Sequence, residues 1–180
     1  GGRVELGLGV GWMKEEFDAL GVPWERRGAR NDEYIEAMRA LWQGPHAEYH
    51  GDFVDFEPAT CSPRPVNGSI PVIVGGDSDA AISRAVRIAD GYFPGEGDIA
   101  QLGALLDRVR QAAEAAGRDP ASIEFSAIFG SQMANPEQGV EEMASIGVDR
   151  IMVPAFFFGG PDGLDNLDQL SERIMPIANG

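Results

Sequence analysis

The sequence predicts an α/β fold built from parallel β/α units, which we interpret as a TIM-type (β/α) barrel that is incomplete. A strand followed by a helix recurs about five times along the chain, which is the pattern of parallel β/α units. The strands are short, and an irregular segment lies between two units, where barrels commonly carry insertions. A doubly wound sheet would also satisfy the strand and helix order, and these last two observations favour the barrel.

The predicted strands are short apolar runs with little alternation, as expected for strands that are buried on both faces. The clearest is the PVIV run of residues 71–74. The predicted strands cover residues 4–9, 71–74, 92–93, 123–129 and 150–154. The predicted helices cover residues 13–20, 25–43, 78–89, 99–116, 136–146 and 164–174.

Residues 44–70 predict an irregular insertion that carries a small hairpin. Residues 46–49 and 53–56 flank Gly51 as two short strands, and the prolines and the Asn67-Gly68 pair that follow break regular structure. We assign the whole chain, residues 1–180, to a single domain. An eight-unit barrel usually needs about 250 residues, so we interpret the chain as the C-terminal portion of a barrel whose N-terminal units are missing.

The charge balance excludes some classes of partner. Fourteen basic and 29 acidic residues give a net charge of −15, and such a surface repels nucleic acid and anionic membranes. An anionic cofactor would therefore need local backbone donors and helix N-termini. Cys61 is the single cysteine, no secretory signal opens the sequence, and no apolar run is long enough to cross a bilayer. We expect a cytoplasmic protein.

Two glycine-rich segments are candidate binding sites. The first, residues 7–12 (GLGVGW), leaves the first strand with glycines at alternate positions, which lets a flat ring or another backbone come close. It lacks the spacing of the dinucleotide fingerprint. A tight strand-to-helix turn explains these glycines as well as a ligand-facing loop does, and both interpretations stay open.

The second segment runs from Val74 through Gly75, Gly76, Asp77 and Ser78. A buried strand enters two glycines and then a helix, whose unpaired N–H groups and positive dipole end suit a phosphate. The alternative is that the glycines make the turn and Asp77 or Ser78 caps the helix. The acids Asp77 and Asp79 favour this alternative unless their side chains turn away.

Other residues carry weaker signals. His46 and His50 lie four residues apart, but in a hairpin and without further ligands, so we predict no metal site. The run of residues 156–158 (FFF) predicts either the mouth of a pocket or a subunit contact. Asp90 and Glu124 stand at strand starts, the wrong end for barrel catalysis, which disfavours a phosphate-binding isomerase or hydrolase. We assign no catalytic residue.

In their order and spacing, several motifs resemble the luciferase-like monooxygenases and the deazaflavin-dependent oxidoreductases. The similarity runs from the first residue to about Pro176. The motifs are GRVELGLGVGW at residues 2–12, EEF at 15–17, LGVP at 20–23, RGAR at 27–30, EY at 33–34, LW at 41–42, YHGDF at 49–53, PRP at 63–65, PVIVGG at 71–76 and ADGY at 89–92.

This resemblance implies a TIM-type barrel that binds coenzyme F-420 or, alternatively, FMN at the C-terminal ends of its strands. The loop of Gly9, Val10 and Gly11 would approach the ring system. The residues from Val74 to Ser78 would hold the phosphate, helped by the loop at Pro94, Gly95 and Glu96, where the acids Glu96 and Asp98 weaken the match. The sugar-phosphate dehydrogenase branch of the family has a catalytic carboxylate near the position of Trp12, and a tryptophan there argues against that branch. Trp12 and the Gly75-Gly76 pair favour the deazaflavin.

We therefore expect a homodimeric oxidoreductase that performs hydride transfer or monooxygenation on a small-molecule substrate. The family's catalytic residues lie largely on strands that precede this sequence, so none is carried over. The rival interpretation is a non-catalytic barrel remnant that serves as a scaffold or dimerisation unit. That rival predicts no pocket between the loops that follow Gly9, Val74 and Phe93.

Overall fold

A computed structural model describes residues 2–178, and its centre is a sheet of five parallel strands. The strands, in spatial order, are β1 (Leu6–Leu8), β4 (Val72–Gly75), β5 (Gly91–Phe93), β6 (Glu124–Ile128) and β7 (Arg150–Met152). Consecutive strands of the sheet are neighbours in space, apart from the inserted hairpin, and each is joined to the next through a helix. This is the order of one arc of a (β/α) barrel.

Within residues 2–178, six helices accompany the sheet, close to the predicted ranges. They are α1 (Lys14–Leu20), α2 (Arg27–Gln43), α3 (Asp79–Ile88), α4 (Ile99–Ala115), α5 (Pro136–Ser145) and α6 (Gly163–Ala178). Three short 3-10 helices were not foreseen, at Pro120–Ser122, Ser131–Ala134 and Ala155–Phe158. A single turn is too short to show a periodicity in the sequence, which is why these escaped prediction. No helix in residues 2–178 is long and apolar enough to cross a membrane.

Side chains of the central strands alternate between two environments. Val72 and Val74 of β4 are buried in the apolar core with the helices, whereas Ile73 between them lines the opposite, concave face. In β6, Phe125 and Ala127 belong to the same core and Ser126 faces the concave side. Because successive residues of a strand point to opposite faces, the helices cover one face of the arc and the other face forms a lumen.

The sheet is an open arc within residues 2–178, because β1 and β7 each have one strand neighbour and do not pair with each other. Their side chains nevertheless meet. The Arg150 guanidinium on β7 binds both carboxylate oxygens of Glu5, which immediately precedes β1, with an Nη2–Oε1 distance of 2.8 Å. It also contacts Glu124 at the start of β6, with Nε 2.9 Å from Oε1. The arc is therefore curved enough for its two edge strands to be bridged by one side chain.

The insertion contains the predicted hairpin, formed by β2 (Ala47–His50) and β3 (Asp55–Ala59) in antiparallel pairing. The Glu33 carboxylate of α2 accepts hydrogen bonds from the backbone N–H groups of Asp52, Phe53 and Val54 at 2.6–3.1 Å. A turn that would otherwise leave three donors unpaired is thereby bonded to the helix. The hairpin is attached to α2, outside the central sheet.

Two glycines of the sheet offer a matched test of lumen packing. A Cβ added at Gly91 would lie 2.5 Å from Ile73 Cδ1 and 2.9 Å from the Glu124 carbonyl oxygen, whereas one added at Gly7 would meet nothing within 4 Å. We expect Gly91→Ala to lower the free energy of unfolding by about 1–3 kcal/mol through overpacking. Gly7→Ala should change it by less than about 1 kcal/mol. Urea denaturation measures both, and equal effects would contradict this account of the lumen.

Candidate functional site

A cleft of about 800 Å³ opens on the lumen face of the sheet. It is lined by residues of all five strands and by the loops that follow β1, β4 and β5. The lining residues are Glu5, Gly7, Leu8, Gly9, Val10, Gly11, Trp12, Ile73, Gly75, Gly76, Asp77, Phe93, Gly95, Ser126, Arg150 and Met152. A cleft of this size, mainly apolar with a few polar groups, has the dimensions of a small-molecule site.

Glycines on the lumen side create much of this space. Gly7 pairs in register with Ile73, and the next lumen positions on the two strands are Gly9 and Gly75. A Cβ at Gly9 would meet nothing within 4 Å, and at Gly75 the nearest atom would be the Phe93 carbonyl oxygen at 3.4 Å. A flat ligand can therefore approach the backbone of β1 and β4 without displacing side chains.

The predicted loop after β1 lies at this cleft. Gly9, Val10 and Gly11 all line it, and Trp12 beside them exposes 81% of its surface. Gly11 has φ +78°, a left-handed conformation that favours glycine. Of the two interpretations left open by the sequence, the position of these residues favours a ligand-facing loop, and Gly11 also serves the turn.

The junction after β4 lies on the same cleft, through Gly75, Gly76 and Asp77. One of its N–H groups is used internally, because Gly76 N donates to the Phe93 carbonyl at 3.3 Å. The Gly76 carbonyl accepts the Tyr92 hydroxyl at 2.7 Å. Burial, with the nearby Asp77 carboxylate as a second cause, raises the pKa of Tyr92, so its hydroxyl stays protonated and donates. The turn is thus held in place by β5.

Four successive N–H groups remain open at the start of α3. Those of Asp77, Ser78, Asp79 and Ala80 have no acceptor among residues 2–178, whereas the fifth, Ala81 N, donates to Ser78 Oγ at 3.2 Å. The N–H groups of Ser78, Asp79 and Ala80 are donors that the N-terminus of α3 leaves unpaired, at the positive end of the helix dipole, and the Asp77 N–H immediately precedes them. The arrangement can accept an anion such as a phosphate.

Two of the predicted cofactor-binding residues, Val74 and Ser78, do not line the cleft. Val74 is 1% exposed and packs into the apolar core, because the strand alternation turns it towards the helices. Ser78 does not line the cleft, and its side chain caps α3. The capping alternative is therefore correct for the Ser78 hydroxyl, whereas the Ser78 N–H remains open.

The acids that the sequence set against a phosphate are both engaged. The Asp77 carboxylate accepts the Gly95 N–H at 2.8 Å, so Gly95 lines the cleft but its amide is already bonded. Asp79 forms an ion pair with Arg108 of α4. In the same loop, Glu96 accepts the N–H groups of Gly97 and Asp98, each at 2.8 Å. Local donors therefore partly offset the negative charge near the open N–H groups.

Sequence reasoning missed the floor of the cleft. Glu5 and Arg150 line it from opposite edges of the arc and form the ion pair described above, and the Ser126 hydroxyl lies near Glu124, with Oγ 3.4 Å from Oε1. No local motif announces these contacts. The available signal was the position of Glu5 and Arg150 at the starts of the first and last strands, where alternation can turn a side chain towards the lumen.

Other sequence candidates lie elsewhere. His50 Nδ1 lies 2.6 Å from Asp55 Oδ1 on the hairpin, and this partner raises the pKa of His50. Phe156 is 76% exposed and its ring lies 4.6 Å from that of Phe157. Neither phenylalanine lines the cleft, so of the two roles considered for this run, only the subunit contact stays a prediction.

Comparison with known proteins shows the family to which the chain belongs. The family model described as luciferase-like monooxygenase matches residues 1–171. A protein of Mycobacterium tuberculosis, described as uncharacterized, is 35% identical over 97% of this chain and 62% of its own length. The FMNH(2)-dependent dimethylsulfone monooxygenase of Pseudomonas putida is 36% identical over 65% of this chain and 33% of its own.

Among solved structures, the coenzyme F-420 dependent tetrahydromethanopterin reductase of Methanopyrus kandleri superposes with a TM-score of 0.74. The alignment covers 97% of this chain and 74% of that one at 17% identity, which shows a common fold. The shared fold and the family match define a luciferase-like class of α/β proteins. The chain belongs to the luciferase-like monooxygenase family, and it spans about three-fifths of the length of the first curated relatives that it matches.

The bond between Asp77 and Gly95 gives a testable property of the cleft rim. Asp77→Ala removes the acceptor of the Gly95 N–H, so we expect that amide to exchange with solvent about threefold to tenfold faster. Asp79→Ala removes a neighbouring carboxylate and leaves this bond intact, so Gly95 exchange should not change. Hydrogen exchange followed by NMR measures both, and unaltered exchange in Asp77→Ala would contradict the bond.

Proposed function

We propose that the cleft binds the phosphate-bearing cofactor of a flavin- or deazaflavin-dependent oxidoreductase. The observation that carries the proposal is the row of four open N–H groups from Asp77 to Ala80, which begins at the rim of a glycine-lined cleft because Asp77, the first of the four, lines it. The donors suit a phosphate and the space along β1 and β4 suits a planar ring. Membership of the luciferase-like family supports this combination.

The residues present fit such a cofactor. In a chain of net charge −15 an anion needs local donors, and the start of α3 supplies them while Asp77 and Asp79 are engaged elsewhere. Phe93, Val10 and Ile73 would contact the apolar ring system. Coenzyme F-420 is our first choice, because Trp12 and the Gly75-Gly76 pair resemble the deazaflavin branch, and FMN is the alternative. The relatives' names include both cofactors.

When bound, the ring would supply the redox chemistry, as hydride transfer or as monooxygenation of a small organic substrate. The chain's own residues would bind and orient it. The open N–H groups would hold the phosphate, the glycines of β1 and β4 would let the ring lie against the backbone, and the apolar walls would exclude water. We assign no proton transfer to a residue of this chain.

The rival function, a non-catalytic scaffold, predicts no pocket where the cleft lies, so the cleft favours the cofactor site. A homodimer and a small-molecule substrate stay part of our proposal. Titration of the chain with coenzyme F-420 and with FMN, followed by cofactor fluorescence, tests it. Saturable binding of either cofactor is expected, and binding of neither would contradict the proposed function.

A matched pair of variants tests the phosphate contact itself. Asp79→Pro removes both the carboxylate and the N–H, and it is sterically tolerable because Asp79 is the first helical residue and Ser78 before it is extended, with φ −80° and ψ 157°. Asp79→Ala removes only the carboxylate. We expect FMN to bind Asp79→Pro about fivefold more weakly than Asp79→Ala, the loss of one hydrogen bond to a charged group.

Riboflavin is the control ligand, because it has the ring of FMN and no phosphate. Its affinity should be the same for the two variants. Equal affinities of the two variants for FMN, measured by fluorescence titration, would show that the Asp79 N–H does not contact the phosphate. A parallel loss with riboflavin would show a general distortion of the junction.

A further inference from the structure

The backbone at Gly11 is held by a closed chain of contacts. The Phe17 ring lies against Gly11, since a Cβ there would be 2.5 Å from Phe17 Cε2. The Trp24 ring meets Phe17 edge to face, with centroids 5.1 Å apart and an interplanar angle of 86°. The Arg27 guanidinium lies over Trp24, with Cζ 3.7 Å from the ring centroid. Arg27 Nε then donates to the Gly11 carbonyl at 3.3 Å, which closes the circuit.

Trp12, which follows Gly11, is largely exposed. It exposes 81% of its surface although it lines the cleft. Removing a large aromatic side chain from water is favourable. An exposed ring at the mouth of a cleft is therefore a surface that a ligand can cover. The three side chains of the circuit are half-buried and fix the backbone from which Trp12 projects. The structure therefore combines a rigid support with an uncovered flat ring.

We propose that Trp12 stacks on the planar ring of the bound cofactor and that Arg27 is the positioning residue that holds Trp12 in place for this contact. The inference rests on the proposed function and adds two residues to it. Arg27 acts through Gly11, since its Nε donates to the Gly11 carbonyl, which belongs to the peptide unit that joins Gly11 to Trp12. The ligand class is a tricyclic aromatic ring, whether or not a phosphate is attached.

Riboflavin is the primary probe, because its binding reports the ring contact without the phosphate. Trp12→Leu should bind riboflavin and FMN about tenfold more weakly, as for the loss of one stacked aromatic partner. Trp12→Phe should recover most of the affinity. Phe156→Leu, at a similarly exposed aromatic outside the cleft, is the matched control and should leave both affinities unchanged.

Arg27→Gln should weaken the binding of riboflavin and of FMN by a similar factor, about threefold to tenfold, because the ring contact is lost for both ligands. Arg26→Gln makes the same change of charge at a residue that binds Asp52 and lies over Phe53 of the hairpin, and it should have no effect. Arg27→Lys keeps the charge and loses the planar stack, so it should not restore affinity. A loss confined to FMN, or restored by lysine, would show that Arg27 acts by charge.

A double-mutant cycle separates positioning from a general structural role. If Arg27 acts through Trp12, Arg27→Gln in a Trp12→Leu background should add little further loss, whereas independent effects would multiply. Thermal denaturation of each variant identifies any that unfold. If the wild-type chain binds the cofactor, either of two results would overturn this inference and leave the proposed function standing. One is an unchanged riboflavin affinity in Trp12→Leu, and the other is a double variant whose loss of affinity is the product of the two single losses. Failure of the wild-type chain to bind FMN, riboflavin or coenzyme F-420 would overturn the proposed function and the inference together.

Discussion

The alternation of side chains along five short parallel strands is the constraint on which the rest of this structure depends. One set of positions, such as Val72 and Val74, must be apolar because it meets the helices, and the other set is free to vary because it meets the lumen. Gly7, Gly9 and Gly75 occupy lumen-facing positions, and the volume that larger side chains would fill there forms the cleft. A one-residue change of register in any strand would exchange the two sets and fill the cleft with core residues.

The sequence predicted the strands and the six α-helices well because each of them has a local signal, which the three 3-10 helices lack. The PVIV run, the paired glycines after it and the amphipathic helices are all readable within windows of a few turns. The same local signals marked Gly9, Gly11 and Gly75 to Asp77 as two separate candidate segments, and the family resemblance implied that they share one cofactor site; in the structure they line one cleft. Local signals could not assign Val74 to the core or the Gly95 amide to Asp77, because face and hydrogen-bond partner depend on neighbouring strands. The Glu5 and Arg150 pair spans 145 residues, beyond any motif.

Electrostatics at the cleft are local. The chain as a whole repels anions, yet the acids nearest to the open N–H groups are each bonded to a donor, Asp77 to the Gly95 amide and Asp79 to Arg108. The net charge is a property of the entire surface, whereas binding depends on the few groups within hydrogen-bonding distance. An acidic chain and an anion-accepting helix start are therefore compatible.

The bridge from Arg150 to Glu5 has a consequence for how the chain acquires its shape. Bringing together two groups separated by 145 residues costs a loop-closure entropy that grows with that separation. Contacts of such high sequence separation form late, after the local β/α units have assembled. The bridge therefore joins the two edge strands only once the units between them are in place, and it stabilises a concavity that those units have already formed.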